Sequence, residues 1–364
     1  MPDVPFIHLH LHSEYSLLDG ACRVKDIPAR AAELGMPAIA VTDHGNMHAT
    51  IEFYRACQKA GVKPIIGMEA YVCDHSRLEK RDGRANTGHM VLLARNQTGY
   101  RNLLKLASSA SLEGFYYTPR VDHELLAAHA EGIIALTACL GGEIPKIITA
   151  GDLERAKALC CWYQELFGPD GFYLELQDHN TPQRVFYAEQ PRMNAALRGI
   201  AAELGIPLVV TNDTHYLLRE DFDAHEVLIC IGAQKTLDEH RQREMNYSTE
   251  QYLKSTEEMY AAFPDDVGAL ENTARIAELC DVSITLDEPQ LPEFAIPAGA
   301  TWDGVLREAC ETRLNAMYAD DPAGAARARE RLDYELGVIS EKGLSPYFLI
   351  VRDFLDWARA QGIL

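Results

Sequence analysis

Seven short apolar segments, most of them followed by a stretch of helical periodicity, constrain the fold of this chain more than any other feature. The segments 133–136 and 206–210 are nearly continuous apolar runs, which is typical of strands buried on both faces of a parallel sheet. The predicted strands are 6–12, 38–42, 64–72, 89–95, 132–138, 172–178 and 207–212. Alternating strands and helices indicate an α/β fold, and seven repeats favour a barrel closed by seven strands rather than eight.

Helical periodicity marks the chain between several of these strands. The predicted helices are 25–34, 47–60, 153–167 and 192–204. Three of them end at Gly35, Gly61 and Gly205, where a helix C-terminus favours a glycine in the left-handed conformation. In barrels of this class the loops that follow the strands form the active face, so we expect functional side chains there.

The pattern changes near residue 286. The segment 286–294 is proline-rich, as a domain connector is, and 301–318, 323–341 and 347–361 then show helical periodicity. A chain of 364 residues exceeds the usual size of one domain, so we predict a domain at 1–285 and a second at 286–364. Because three helices do not close a core, we expect the chain to be a fragment of a longer protein.

The charge balance limits what the surface can bind. A net charge of −20 argues against a surface that attracts phosphate backbones non-specifically, so nucleic acid would be held by local basic patches, by metal ions or by other parts of the protein. The start of the chain lacks the pattern of a secretory signal, and apolar runs of membrane length are absent. Nine cysteines without framework spacing indicate reduced thiols. We therefore expect a cytoplasmic protein.

The first predicted strand carries histidines at alternating positions. Side chains two residues apart share one face of a strand, so His10 and His12 can hold one ion. The alternative is that both are hydrogen-bonded core histidines. His8 would lie on the same face but deeper, and we interpret it as a buried, hydrogen-bonded residue.

Further metal-capable residues recur where other predicted strands begin or end. They are Asp19, His44, Glu69, His89, Cys139, Asp213 and His215. Imidazole, carboxylate and thiolate donors suit Zn²⁺, Mn²⁺ or Fe²⁺ better than Mg²⁺, and nine donors exceed the needs of one ion, so two or three ions are expected. Clustered ions are suited to phosphate ester hydrolysis. The alternative is a structural cluster without turnover.

Weaker candidates surround this set. We expect Asp43 to lie behind the donors and to orient them. His48 and His75 are most simply solvent-facing. The segment 114–120 combines aromatic residues with a cation, a mixture that can contact a nucleic acid strand, although a packed loop explains the same residues.

The motifs together resemble those of the polymerase and histidinol phosphatase (PHP) family. They read His-Leu-His-Ser at 10–13, Ser-Leu-Leu-Asp-Gly at 16–20, Thr-Asp-His-Gly-Asn at 42–46, Lys-Pro-Ile-Ile-Gly-Met-Glu-Ala-Tyr-Val at 63–72 and Asn-Asp-Thr-His-Tyr at 212–216. Their versions are similar to those at the N-terminus of bacterial replicative DNA polymerase III alpha subunits, and 286–294 and 343–354 resemble the entry to that polymerase's palm. The resemblance implies a PHP-type distorted (β/α)7 barrel at 1–285 and a partial, mostly helical start of a palm at 286–364.

The resemblance also implies a ligand set and partners. The metal ligands would be His10, His12, Asp19, His44, Glu69, His89, Cys139, Asp213 and His215. Cys139 stands where other members use His. The implied parent adds deoxynucleotides to primer–template DNA together with a sliding clamp, a clamp loader and a proofreading subunit. Its Mg²⁺-dependent polymerase site would lie beyond Leu364, so catalytic residues for polymerisation are not expected in this chain.

For the barrel itself we expect metal-dependent hydrolysis, as a 3′–5′ proofreading exonuclease. A first alternative is a metal-stabilised structural module that braces the polymerase or docks a proofreading subunit. A second is a stand-alone phosphatase such as histidinol phosphatase, which the palm-like tail disfavours. An error-prone paralogue of the replicative polymerase is a third.

Overall fold

The computed structural model describes residues 2–80, 87–181, 184–242, 248–287 and 292–363. It divides into two compact units, Met1–Ile284 and Thr285–Leu364. The strands of the first unit are β1 Ala38–Val41, β2 Lys63–Cys73, β3 Thr87–Ala94, β4 Arg120–Asp122, β5 Ile133–Leu136, β6 Phe172–Leu176 and β7 Leu208–Val210. Its helices are α1 Ile27–Glu33, α2 Thr50–Ala60, α3 Gln97–Leu112, α4 His123–Ala128, α5 Glu143–Thr149, α6 Leu153–Phe167, α7 Gln190–Leu204, α8 Phe222–Ala233, α9 Leu237–Gln242, α10 Thr256–Ala262 and α11 Val267–Leu279.

The strands form one curled sheet in the order β1-β2-β3-β5-β6-β7, with β4 paired beside β2. The pairs are parallel except those of β3, which runs antiparallel to both β2 and β5. The prediction of a parallel sheet is therefore wrong at β3. A parallel return needs a crossover of a dozen or more residues, usually a helix, and the described part of the β2–β3 connection, 74–80, contains none. The short strand β4 was not predicted.

The first predicted strand, 6–12, does not form a regular strand and contains one isolated bridge, between Leu11 and Thr214. Its backbone nevertheless hydrogen-bonds to both ends of the sheet. The amide of Ala40 in β1 donates to the carbonyl of His8 at 2.9 Å, and the amide of His12 donates to the carbonyl of Thr214, beyond β7, at 2.8 Å. This segment therefore joins the two ends of the sheet, and together they form the predicted distorted seven-membered barrel.

One face of the strands carries both apolar and metal-capable side chains. Side chains two residues apart share a face, so Glu69 lies on the same face as Ile65, and His89 on the same face as Val91. Ile65 and Val91 belong to a fully buried apolar cluster. Glu69 lies nearer the C-terminal end of β2 and His89 lies nearer the N-terminal end of the antiparallel β3, so the polar residues lie at the same end of the barrel. The barrel therefore has an apolar core that ends in a polar mouth.

The four helices predicted in the first unit are all present. The predicted helices correspond to α1, α2, α6 and α7, with ends that differ by up to three residues. Gly35, Gly61 and Gly205 have φ values of +72°, +69° and +67°, as expected for left-handed residues at helix ends. The helices α3 to α5 and α8 to α11 were not predicted. All nine cysteines are free.

The described residues of the second unit form three helices, α12 Trp302–Met317, α13 Pro322–Glu341 and α14 Ser345–Ala360, close to the three predicted ones. A small apolar cluster centred on Leu306, Leu336 and Leu349 holds them together. Of the predicted connector 286–294, residues 288–291 lie outside the described residues. Within the described part of the chain, helices long and apolar enough to cross a membrane were not found.

Candidate metal centre

The nine predicted donors lie together at the mouth of the barrel. Three groups of them place one ligand atom each within 4.8 Å of the others: His12, His44 and His215; His10, His12 and Glu69; and His44, Glu69 and His89. The three remaining donors are joined to these groups. Asp213 Oδ1 lies 3.2 Å from His12 Nε2, Asp19 Oδ2 lies 3.3 Å from His44 Nε2, and Cys139 Sγ lies 3.6 Å from His89 Nδ1.

Glu69 occupies the middle of this cluster, on the long strand β2. One carboxylate oxygen lies 2.9 Å from His89 Nδ1 and 3.4 Å from His10 Nε2. The other lies 3.8 Å from His12 Nε2 and also contacts His44 Nδ1. The side chain is 1% exposed, and its oxygens do not meet hydrogen-bond geometry with these rings. Buried oxygens and nitrogens that approach without hydrogen bonding are the arrangement expected of ligands that share cations.

Asp213 provides the second carboxylate at the centre. Its Oδ1 lies 3.2 Å from the Nε2 atoms of both His10 and His12. Burial alone would raise the pKa of Asp213, but the neighbouring His10 and His215 hold it well below its usual value. Asp213 has a φ of +44°, in the left-handed region that non-glycine residues rarely occupy, so the loop after β7 is held in a strained conformation.

Hydrogen bonds behind His12 determine which of its ring nitrogens faces the cluster. The Ser16 hydroxyl donates to Asp43 at 2.8 Å, so its oxygen accepts from His12 Nδ1 at 3.0 Å. This leaves Nε2 of His12 unprotonated and facing the donors. Burial and the nearby His44 and His215 lower the pKa of His12 to about 3, which keeps the ring neutral. Asp43 therefore lies where the sequence analysis expected it, behind the donors.

Glu175 orients His10 in the same way, and sequence analysis missed it. Glu175 Oε1 lies 2.7 Å from His10 Nδ1, so His10 Nε2 is the atom that faces Glu69 and Asp213. Gln177 also donates to Glu175, at 2.9 Å. A signal was present in the sequence, because a carboxylate inside the apolar strand β6 is costly to bury unless it is paired.

Hydrogen bonds that involve the backbone help to position His215 and Asp19. His215 Nδ1 lies 2.8 Å from the carbonyl oxygen of Asp213, and its Nε2 faces Asp19 at 4.0 Å. The backbone carbonyl of Asp19 accepts a hydrogen bond from His225 Nε2 at 2.7 Å. Burial alone would raise the pKa of Asp19, but the neighbouring His44 and His215 hold it below its usual value. His225 was not among the predicted site residues.

Cys139 lies at the edge of the cluster. The amide of Gly141 approaches its sulfur at 3.4 Å, and His89 Nδ1 lies 3.6 Å away. Burial, together with the charge of Asp213, raises the pKa of the Cys139 thiol well above its usual value. A thiol must lose its proton to bind a metal, so a cation would have to displace the proton at this position.

A cleft of about 950 Å³ opens over the donors. Donors from six parts of the chain reach its surface: Asp19, His44, Glu69, His89, Cys139, Asp213 and His215. Its walls also carry aromatic and cationic side chains: Tyr15, Tyr71, Tyr117, Tyr187, Lys146 and Lys235. The cluster is therefore accessible to a molecule larger than a metal ion.

The weaker candidates lie outside this cluster. His8 is buried and hydrogen-bonds to the carbonyl of Lys254 at 2.9 Å, as expected, and His48 is exposed. The expectation that His75 faces solvent is wrong, since its side chain is 5% exposed. Its Nε2 lies 3.3 Å from the guanidinium of Arg120, which is itself buried. The reason is that Arg120, the cation of the segment 114–120, is buried and contacts the His75 ring.

The donor set fits divalent metal ions. It combines ring nitrogens, carboxylate oxygens and one sulfur at short mutual distances, and several of these groups are buried without hydrogen-bond geometry. Like-charged carboxylates in such proximity need positive charge between them.

Two family models match the chain. A PHP domain model matches residues 8–179, and a model of the bacterial DNA polymerase III alpha NTPase domain matches residues 304–364. The chain is 44% identical over 362 residues to the DNA polymerase III subunit alpha of Borreliella burgdorferi, covering 98% of this chain and 31% of that protein.

Two further relatives carry the same name. The DNA polymerase III subunit alpha of Treponema pallidum is 41% identical, and the match covers 100% of this chain and 30% of that protein. The DNA polymerase III subunit alpha of Thermus aquaticus is 38% identical, and the match covers 98% of this chain and 34% of that protein. The chain thus spans about a third of the length of these relatives. It belongs to the family of bacterial DNA polymerase III alpha subunits, and its first unit carries a PHP domain.

Proposed function

We propose that the barrel, residues 1–285, holds two or three divalent ions and hydrolyses phosphodiesters as a 3′–5′ exonuclease that proofreads newly made DNA. Zn²⁺, Mn²⁺ and Fe²⁺ are the candidate ions, because imidazole, carboxylate and thiolate donors are mixed. The observation that carries the proposal is the convergence of all nine donors on one cluster that faces an open cleft.

The side chains of the barrel have distinct roles in this proposal. Glu69 would hold more than one ion, because its two oxygens face different pairs of histidines. Ser16 and Glu175 keep the Nε2 atoms of His12 and His10 turned to the cluster. Bound ions of this kind lower the pKa of a water molecule and stabilise charge on a leaving oxygen.

We further propose that residues 286–364 are the first part of a polymerase palm, and that the parent protein carries out template-directed DNA synthesis in the cytoplasm. Its partners would be primer–template DNA, deoxynucleotides, a sliding clamp, a clamp loader and a proofreading subunit, with Mg²⁺ at a polymerase site outside this chain. Supporting this, the chain matches the relatives over almost its whole length.

A structural role for the metal centre is the second candidate. The observation that favours it is burial: the side chains of His10 and His12 are 0% exposed and that of Glu69 is 1% exposed. Ions at such depth would cross-link strands far apart in sequence and brace the barrel. In that case chelation would lower the melting temperature while no phosphodiester was cleaved.

The test is release of the terminal nucleotide from 3′-labelled single-stranded DNA by the purified chain with Mn²⁺ or Zn²⁺. We expect release by the wild type and by His48→Ala, whose ring is exposed and outside the cluster. The double variant His12→Ala, Asp213→Ala should release none. Equal release by the double variant would refute a hydrolytic centre here, and no release by metal-loaded wild type would leave the structural role.

A further inference from the structure

The segment 114–120 holds an exposed tyrosine in a fixed position. Tyr117 is 59% exposed and has a φ of +62°, in the left-handed region. The segment around it is anchored by Arg120, whose side chain is buried and donates to the carbonyl oxygens of Gly114 at 2.9 Å and Arg77 at 2.6 Å. A strained residue persists only where its surroundings fix it, and such residues are frequent at ligand sites.

The same segment packs directly against the metal centre. A Cβ atom on Gly45, the residue after His44, would lie 2.5 Å from the Pro119 ring and 3.1 Å from the ring of Tyr71. Pro119 therefore contacts the backbone next to a predicted ligand. Tyr117 lies two residues before Pro119 and lines the cleft that opens over the donors.

Core packing does not explain the position of Tyr117. Its ring meets that of Tyr116 edge to face, with centroids 4.6 Å apart, and more than half of its surface faces solvent. An aromatic ring at the wall of a cleft is a surface on which a purine or a pyrimidine base can stack. Lys146 and Lys235, which also line the cleft, supply positive charge for phosphates in a chain whose net charge is −20.

We propose that Tyr117 is a stacking platform for the terminal base of a single DNA strand whose last phosphodiester lies over the donors. This inference rests on the proposed function, because it assumes that a strand end enters this cleft. The substrate class is then an unpaired strand end with an intact base, because stacking on an aromatic ring uses the face of a single-stranded base. Tyr117 is a binding residue in this account, and the donors remain responsible for hydrolysis.

The test compares equilibrium binding of fluorescently labelled single-stranded oligonucleotides, with and without an abasic 3′ end, by fluorescence anisotropy on the whole chain in EDTA. We expect Tyr117→Ala to weaken binding of the intact strand about tenfold, since stacking on one aromatic ring has an effect of that order. Tyr117→Phe should bind as the wild type does. Because alanine keeps a Cβ atom, Tyr117→Ala does not relieve the strain of the left-handed backbone at this position.

Phe115→Ala is the matched control, because Phe115 is 56% exposed in the same segment but does not line the cleft. It should bind as the wild type does, and the abasic strand should bind equally to wild type and Tyr117→Ala. Unchanged binding by Tyr117→Ala, or no binding by the wild type, overturns the platform. Tyr117-dependent binding without nucleotide release by the metal-loaded chain would instead refute the proposed hydrolysis and leave the platform standing.

Discussion

Glu175 and Glu69 show how two buried carboxylates can serve different purposes. Glu69 faces the cluster with both oxygens, whereas Glu175 Oε1 lies 2.7 Å from His10 Nδ1, on the far side of that ring. Sequence patterns identified Glu69 because it lies within the motif at 63–72, and they missed Glu175 because its partner is 165 residues away. A carboxylate inside a fully buried strand is the signal that such a partner exists.

Replacing Glu175 with Gln should weaken metal binding without removing the site. The amide keeps the size of the side chain but loses the charge that supports His10, and partners of this kind contribute about 10- to 100-fold in metal affinity. The measurement is a metal competition titration with a chromogenic chelator. Glu203→Gln, an exposed carboxylate paired with Lys157, is the control. An unchanged affinity in Glu175→Gln would show that His10 does not depend on this hydrogen bond.

His179 should make the fold sensitive to acid. It is buried between the side chain of Gln190 and the carbonyl of Asn212, and burial lowers its pKa from 6.5 to about 4. The unfolded chain binds this proton near pH 6.5 and the folded chain only near pH 4, so the stabilisation is complete above pH 6.5 and is lost as the pH falls toward 4.

Urea denaturation between pH 4.5 and 7.5 checks this expectation. Between these two pH values His179 should contribute on the order of 3 kcal/mol to the change in the free energy of unfolding. His179→Gln should reduce the slope of that change with pH, whereas replacing the exposed His48 should not. A slope that is the same in wild type and His179→Gln would contradict the assignment.

At the scale of elements, periodicity predicted six of the seven strands found among the described residues, and the helices that follow several of them. Periodicity failed where contacts between distant segments determine the direction or the pairing of a strand. The antiparallel direction of β3 depends on how the chain returns from β2, which strand periodicity does not encode. That direction brings the first residues of β3, with His89, to the same mouth as the ends of the parallel strands. The irregular segment 6–12 joins both ends of the sheet through hydrogen bonds that a sequence pattern cannot specify.

Helix α7 offers a matched pair of glycines. Gly205 ends the helix with a φ of +67°, and Gly199 lies inside it, exposed, and both have open space where a Cβ would be. Gly205→Ala should destabilise the fold by about 1–2 kcal/mol, because L-residues are strained in the left-handed region. Gly199→Ala should stabilise it by about 0.4–1 kcal/mol, because alanine favours helix. Chemical denaturation measures both, and equal effects of the two changes would contradict the helix boundary.

At the scale of the whole molecule, the donors connect segments from residue 10 to residue 215. Ions bound among them would stabilise only the folded state, by about 4 kcal/mol when the free ion is a thousandfold above its dissociation constant. Removing them with EDTA should therefore lower the melting temperature by on the order of 10 °C. Thermal denaturation with EDTA and after re-addition of Zn²⁺ or Mn²⁺ is the measurement. A melting temperature unaffected by chelation would mean that metal does not support the barrel.

We expect the nine side chains to act together as one multinuclear centre. Anomalous X-ray diffraction from crystals of the chain grown with Zn²⁺, Mn²⁺ or Fe²⁺, recorded at the absorption edge of the added metal, tests this directly. We predict two or three anomalous peaks enclosed by these nine residues, with Glu69 beside more than one of them. A single peak, or peaks held by other residues, would contradict the account.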